Sequence, residues 1–315
     1  MIVHNVNMAG SATRLRILTR IKLCGLPTLP GHGRSNKLGY IRVYSRQQAT
    51  NTTSTAQYCL HLVKQYDYEN FLSVLLLPQT ARTTALAIRA FNVELSQVSD
   101  VTSETLMAKM RLQFWRETLS QIYKSTAPRQ PVAMELQRAV KQHGLSKRWL
   151  QNLIDSRENQ LNNKQFASLA AVEDYCEMSN SSLYYLILQG LGIKNVHADH
   201  AASHLGKAEG ILKLVRGVPH YGAKRKVFLP REIMLKYGVS DEDVIRGSKE
   251  QKVRDVIYDT ASLAHHHLDQ ARGLIRSVPK DAEGFCLHPC CCCGSLSQGF
   301  TAHSFSCFDS VLNKA

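Results

Sequence analysis

Residues 205–230 read LGKAEGILKLVRGVPHYGAKRKVFLP, and this stretch predicts a helix that ends near a proline. Its apolar residues recur every three or four positions and form one stripe on a helix: Leu205, Ala208, Ile211, Leu212, Val215 and Val218. The charged residues fall off that stripe: Lys207, Glu209, Lys213 and Arg216. Pro219 ends or bends the helix, because proline lacks an amide hydrogen and restricts the residue before it. A basic turn and Phe228-Leu229-Pro230 follow.

This stretch resembles the second signature region of the squalene/phytoene synthase family. There the helix ends in Asn-Ile-Leu-Arg-Asp-x-x-x-Asp, followed by a basic turn and Tyr-Leu-Pro. When the Leu-Pro pair at 229–230 is aligned, the two family aspartates fall on Gly217 and Tyr221. Lys213 and Arg216 occupy the Asn and Arg places. The resemblance therefore implies a retained helical scaffold with two metal ligands replaced.

An upstream stretch resembles the opening region of the same family. Residues 67–98 read DYENFLSVLLLPQTARTTALAIRAFNVELSQV, and the chain from Tyr58 to Val98 predicts two helices split at Pro78. In active members the second helix carries Asp-x-x-x-Asp. Aligned on the Ala-Phe pair at 90–91, those aspartates fall on Ser96 (or Gln97) and Asp100. The resemblance thus implies that one of the four family aspartates remains.

Helical periodicity continues through the rest of the chain, and almost nothing alternates with period two. Further helices are predicted over Thr105–Lys124, Leu145–Leu161, Glu173–Leu191 and Val253–Ile275, with a helix N-cap at Ser240. The predicted fold class is therefore all-α. The family resemblance implies a single isoprenoid-synthase-like helical bundle over residues 58–279.

The two ends of the chain differ from this region in composition. Residues 1–50 contain eight Arg and Lys and no Asp or Glu, which accounts for much of the formal net charge of +14. That composition is typical of a mitochondrial presequence, with a disordered basic N-terminus as the alternative. Residues 280–315 hold six of the nine cysteines and show no helical stripe. They predict a divergent, mostly disordered tail in which a zinc site is the weaker interpretation, since adjacent cysteines lack the usual ligand spacing.

Several classes of protein are disfavoured by the sequence. A membrane-spanning helix needs a long apolar run, and the sequence has none of sufficient length. It also lacks zinc-finger spacing, an RNP-like motif, a phosphate-binding loop and a dinucleotide fingerprint, so we predict neither a nucleic-acid partner nor a cofactor. The run His265-His266-His267 is predicted to lie at the surface, because consecutive helical residues point about 100° apart and chelate a metal poorly.

The site residues follow from the family's chemistry. Its members condense prenyl diphosphates with Mg²⁺ held by paired aspartates, and Mg²⁺ prefers oxygen ligands. Asp100 alone cannot assemble that cluster, so the sequence predicts a pseudoenzyme with no catalytic residues and no bound metal. A phosphate or an acidic lipid headgroup could still meet the basic residues Arg216, Lys224, Arg225 and Lys226. A solvated basic turn is the alternative interpretation.

A presequence joined to a helical domain with broken motifs resembles a mitochondrial, non-catalytic branch of this family. That resemblance implies a matrix protein, peripheral on the inner membrane, that supports early assembly of respiratory complex I. Its expected partners are assembly intermediates around the ND1-containing membrane arm. Two alternatives stay open, namely a retained prenyl-diphosphate transferase activity and an isoprenoid- or lipid-binding protein.

Overall fold

The computed structural model describes residues 54–101, 105–162 and 165–279, and within these ranges the chain is helical with no strand. The α-helices are α1 (Thr55–Tyr66), α2 (Tyr68–Leu75), α3 (Gln79–Val101), α4 (Thr105–Tyr123), α5 (Pro131–His143), α6 (Lys147–Asn162), α7 (Leu169–Cys176), α8 (Ser182–Gly190), α9 (Val196–Arg216), α10 (Val218–Ala223), α11 (Arg231–Lys236), α12 (Asp241–Ile245) and α13 (Gln251–Leu274). The all-α prediction is confirmed. The predicted presequence and Cys-rich tail lie outside the described residues.

Helix α9 is the centre of the bundle. It packs along α13 and against α8, while α3 packs against α1, α5 and α8. The predicted apolar stripe of α9 is confirmed, since its members from Leu205 to Val215 are almost fully buried. Helix α9 ends at Arg216, and Pro219 lies in the first turn of the next helix, α10. Among the described residues, every helix is too short or too polar to cross a bilayer.

The segment before Pro78 differs from the prediction of one helix. The chain breaks at Asp67, which ends α1 and precedes α2 with a non-helical φ of −140°. The Asp67 carboxylate accepts a hydrogen bond from Asn70 Nδ2 at 2.7 Å. This bond joins two side chains, and the Asp67 carboxylate makes no capping bond to the backbone of α2. Helix α2 can therefore take its own direction across the surface.

The predicted helix over Glu173–Leu191 is also interrupted. Residues Glu177–Ser181 form a π-helical turn between α7 and α8. This turn faces α9 at two glycines, and a Cβ added to Gly206 would lie 2.5 Å from the Ser181 Cα. Glycine at 206 thus lets two backbones approach more closely than any side chain would allow.

The prediction of surface histidines is wrong for His267. Its side chain is 5% exposed, between α9 and α13. Its Nδ1 lies 2.9 Å from His204 Nδ1, and its Nε2 lies 2.6 Å from a Glu173 carboxylate oxygen. Burial lowers the pKa of both histidines, and in His204 the neighbouring His267 adds to that effect. Only His266 of the three is exposed.

Acid should therefore destabilise the α9–α13 interface. The pKa of His267 lies below its ordinary value of 6.5 in the folded protein. The unfolded chain therefore binds more protons than the folded one at mildly acidic pH, and stability is lost as the pH falls below about 6.5. We expect the free energy of unfolding, measured in urea from pH 7.5 to 5, to decline less steeply in His267→Gln than in the parent. His266→Gln is the matched control, and an equal pH profile in the two variants would contradict the prediction.

Candidate functional site

An aromatic contact fills the region of the second aligned motif, at Gly217 and Tyr221. A Cβ added to Gly217 would lie 2.6 Å from Cε2 of Tyr221, so the tyrosine ring occupies the space beside the glycine. The same ring packs edge-on against Phe228 with centroids 4.6 Å apart, and Phe228 lies 6.2 Å from the ring of Phe166. At the two positions that the sequence analysis aligned with family aspartates, the structure has a glycine covered by a tyrosine.

The region of the first aligned motif, at Ser96 and Asp100, also has few described groups that could bind a cation. Ser96 is exposed, and its hydroxyl donates to the Val93 carbonyl of its own helix at 2.8 Å. Nearby Glu94 faces α1, where it accepts a hydrogen bond from Tyr58 at 3.4 Å. Burial raises the pKa of Glu94 despite that bond. The side chain of Asp100 lies outside the described residues.

A hydrogen-bonded bridge links α3 to the aromatic cluster around Tyr221. Arg157 on α6 donates to Tyr175 Oη at 2.6 Å and approaches Asn92 Oδ1 on α3 at 3.4 Å. The Tyr175 ring in turn lies 5.2 Å from Phe166. The structure thus brings the end of α3 that carries the first motif toward the segment that carries the second.

Beside this region lies a buried ionic cluster, which the sequence analysis missed. Arg89 on α3 is 2% exposed, and its guanidinium lies over the Tyr184 ring, 5.5 Å from the centroid. Tyr184 donates to Glu209 at 2.6 Å, and Lys213 contacts the other oxygen of that carboxylate at 2.7 Å. Asn70 on α2 reaches the same carboxylate at 3.4 Å. Helices α2, α8 and α9 therefore meet at Glu209, and α3 adds Arg89 over the Tyr184 ring.

The cluster is held in its ionised form. Burial by itself would raise the pKa of Glu209, but the positive charges of Lys213 and Arg89, with hydrogen bonds from Lys213 and Tyr184, outweigh it and lower the pKa to about 2. Burial opposes the charge on Arg89, yet Asp67 and Glu209 keep its pKa above the ordinary value. Glu209 and Arg89 are thus kept charged by neighbouring opposite charges, of which Lys213 is 40% exposed and Asp67 half-buried.

The sequence contained a signal for this cluster. Arg89 interrupts the apolar run ALAIRAF, where a charged residue needs a buried partner. Glu209 and Lys213 were placed off the apolar stripe of α9, but the Glu209 side chain is only 13% exposed. A position off the stripe did not reveal this burial, because α2 and α8 cover the Glu209 side of the helix.

The basic residues that were predicted to meet a phosphate or headgroup lie at the surface. Arg216 makes two contacts of 3.3 Å with the Glu69 carboxylate on α2. Arg225 pairs with Glu242 at 3.0 Å. Lys224 and Lys226 are exposed on either side of it. The Arg216 and Arg225 pairs have distances that surface pairs tolerate and exchange easily.

The described residues do not fit the family's magnesium cluster. Mg²⁺ requires carboxylate or comparable oxygen ligands in near-octahedral geometry. Ser96 is bonded to its own helix, Gly217 has no side chain, and Tyr221 packs among aromatic rings. Within the described ranges no group of three or more His, Cys, Asp or Glu side chains is placed to hold a metal ion.

The helical bundle, together with the two motif regions, identifies the class of protein. The squalene/phytoene synthase family model matches residues 63–311, and the chain belongs to that family. A solved squalene synthase from Alicyclobacillus acidocaldarius superposes with a TM-score of 0.67 at 19% identity, covering 84% of this chain and 99% of that one. The predicted isoprenoid-synthase-like fold is confirmed. The family match extends beyond the residue 279 at which the resemblance was traced to end.

Nearer relatives belong to one branch of the family. "NADH dehydrogenase (ubiquinone) complex I, assembly factor 6" of Bos taurus is 50% identical over 230 residues, 73% of this chain and 69% of the relative. The Homo sapiens protein of the same name is 47% identical over 263 residues, 82% of this chain and 79% of the relative.

Proposed function

We propose that this chain is a non-catalytic mitochondrial assembly factor that supports early assembly of respiratory complex I. The observation that carries the proposal is its identity of 47–50% to relatives named complex I assembly factor 6, over most of their length. We further propose that it acts on intermediates of the ND1-containing membrane arm. It would do so from the matrix, as a peripheral protein of the inner membrane.

The proposed import rests on the N-terminal composition. Residues 1–50 are basic and free of acids, and such segments direct import into mitochondria and are then removed. Residues 280–315 would add a divergent tail to the helical domain of 58–279. This division into presequence, domain and tail is a proposal from sequence.

The non-catalytic part of the proposal is supported by the two motif regions. In place of a carboxylate pair, the Tyr221 ring packs over Gly217. Next to it, Lys213 and Arg89 provide fixed positive charges whose counterions, Glu209 and Asp67, are already inside the protein. Lys213 already pairs with Glu209 at 2.7 Å, so less of its charge is available to a magnesium diphosphate than that of an unpaired lysine. We therefore assign no catalytic residue.

Complementation in cells that lack the endogenous protein tests the proposal. We expect complex I assembly, followed on native gels, to be restored by the chain and equally by Asp100→Ala, because a lone carboxylate is not needed for a scaffold. Loss of rescue by a folded, imported Asp100→Ala protein would favour a metal-dependent activity instead. Failure of the unmodified chain would contradict the assembly role.

Family membership itself favours the alternative of prenyl-diphosphate chemistry or isoprenoid binding. The purified chain incubated with farnesyl or geranylgeranyl diphosphate and Mg²⁺ should release no diphosphate under our proposal. Diphosphate release that depends on Asp100 would replace our proposal with an enzymatic function. An isoprenoid that co-purifies and is detected by native mass spectrometry would instead favour a binding role.

A further inference from the structure

The outward face of α2 is unusually apolar for a surface helix. Its four large apolar side chains, together called the α2 ridge, are exposed by 41–60%: Tyr68, Leu72, Leu75 and Leu76. Asn70 and Val74 point the opposite way, and they and Phe71 beside the ridge are buried. At about 100° per residue, the ridge spans an arc of about 100° that holds no charged residue. Contiguous exposed apolar surface of this kind marks an interaction site.

Positive charge adjoins one flank of the ridge. Glu69 lies at its edge, and Arg216 from the end of α9 reaches that carboxylate. The chain then passes through the six residues of α10, about 9 Å of helix. It reaches the exposed basic residues 224–226, called here the basic turn. Arg216 thus links the edge of the ridge to the short segment that leads to the basic turn.

We propose that the α2 ridge and the basic turn form the surface by which the protein docks onto an anionic lipid bilayer. The inference rests on the peripheral membrane location included in the proposed function and names the surface responsible. Leucines insert among acyl chains, tyrosine at one end suits the interface, and Lys and Arg meet lipid phosphates. The ridge projects outward on one helix with no charged residue along it, as a lipid-inserting face does.

A second exposed apolar face, on α4, lacks these properties. Leu106, Met107, Met110 and Phe114 are exposed by 48–67%. Glu117 falls within the arc of this face, and the groove beside it is lined by charges of both signs, namely Lys109, Arg116, Glu117 and Glu158. Acidic side chains repel an anionic bilayer, so the α4 face serves as the matched control.

Tryptophan quenching by brominated lipids distinguishes the two faces in the full chain. The fluorescence of the parent is subtracted from that of each variant, which leaves the signal of the added tryptophan. We expect the signal from Leu72→Trp to be quenched by vesicles of brominated phosphatidylcholine with phosphatidylglycerol. Fluorescence added by Met110→Trp should not be quenched. The double variant Leu72→Asp/Leu76→Asp should bind the same vesicles about tenfold more weakly or worse, because burial of each leucine is lost. Met110→Asp/Phe114→Asp should bind like the parent.

The basic residues 1–50 also attract anionic vesicles, but attraction through them alone would leave Leu72→Trp unquenched and would overturn the proposal. Equal quenching of both tryptophans would overturn it as well. If the Asp double variant binds vesicles normally yet fails to restore complex I assembly, the ridge contacts a protein and not a bilayer. If the parent restores complex I assembly but Leu72→Trp is not quenched, the proposed docking surface is wrong and the assembly role still stands.

Discussion

Replacing Glu209 with leucine is expected to lower the free energy of unfolding by about 3–5 kcal/mol, the usual cost of removing one partner from a buried ion pair. Arg89, 2% exposed, would lose one of the two carboxylates that stabilise its charge, and Tyr184 would lose the acceptor of its hydrogen bond. The loss arises mainly from charges left buried without a counterion. Urea denaturation at pH 7.5 measures it directly.

Glu242 provides the control. It pairs with Arg225 and Arg246 at 3.0 Å, but its side chain is 41% exposed, so Glu242→Leu should cost less than about 1 kcal/mol. The double variant Arg89→Met/Glu209→Leu should recover part of the loss, since it leaves Asp67 and Lys213 as one carboxylate and one cation. Equal effects of Glu209→Leu and Glu242→Leu would mean that the cluster is solvated.

The pH dependence of the same residue has a defined sign. Because the pKa of Glu209 is lowered from 4.5 to about 2 in the folded protein, its contribution is complete above about pH 4.5 and is lost as the pH falls toward 2. The histidine pair at His267 acts in a higher range, below about pH 6.5. The free energy of unfolding should therefore decrease in two separate pH ranges as the solution is acidified.

Periodicity predicted the parts of this fold that depend on one helix at a time. The stripe from Leu205 to Val215 is buried, and the end of α9 before Pro219 follows from proline's missing donor. The capping pair of Ser240 and Asp243 forms as predicted, with the serine hydroxyl accepting from the Asp243 amide. Each of these features is decided by residues close in sequence.

What periodicity could not predict depends on partners that are distant along the chain. Glu209 looks solvated on its own helix, but Tyr184 and Asn70 come from other helices to cover it. His267 sits in a run of three similar residues, and only the approach of α9 decides which of them is buried. Gly217 and Tyr221 are four residues apart and touch locally, but the aromatic cluster around them includes Phe166, which is distant along the chain.

The backbone approach at Gly206 gives the second large expected effect. Gly206→Ala should lower the free energy of unfolding by about 3 kcal/mol, the upper end for overpacked cores. The added methyl would lie 2.5 Å from Cα and N of Ser181, and backbone atoms in the π-helical turn cannot rotate away as a side chain can. The loss would exceed the gain of up to about 1 kcal/mol that alanine brings within a helix.

Gly273 on α13 is the matched control, because a Cβ there meets nothing within 4 Å. Gly273→Ala should leave the free energy of unfolding unchanged or raise it by up to about 1 kcal/mol. Urea denaturation of the two variants separates a steric effect from a general effect of glycine replacement. If Gly206→Ala were as stable as Gly273→Ala, the π-helical turn would have to move aside at little cost. The close contact between α9 and that turn would then be adjustable, and not the fixed point on which the Glu209 cluster and the His267 interface are both positioned.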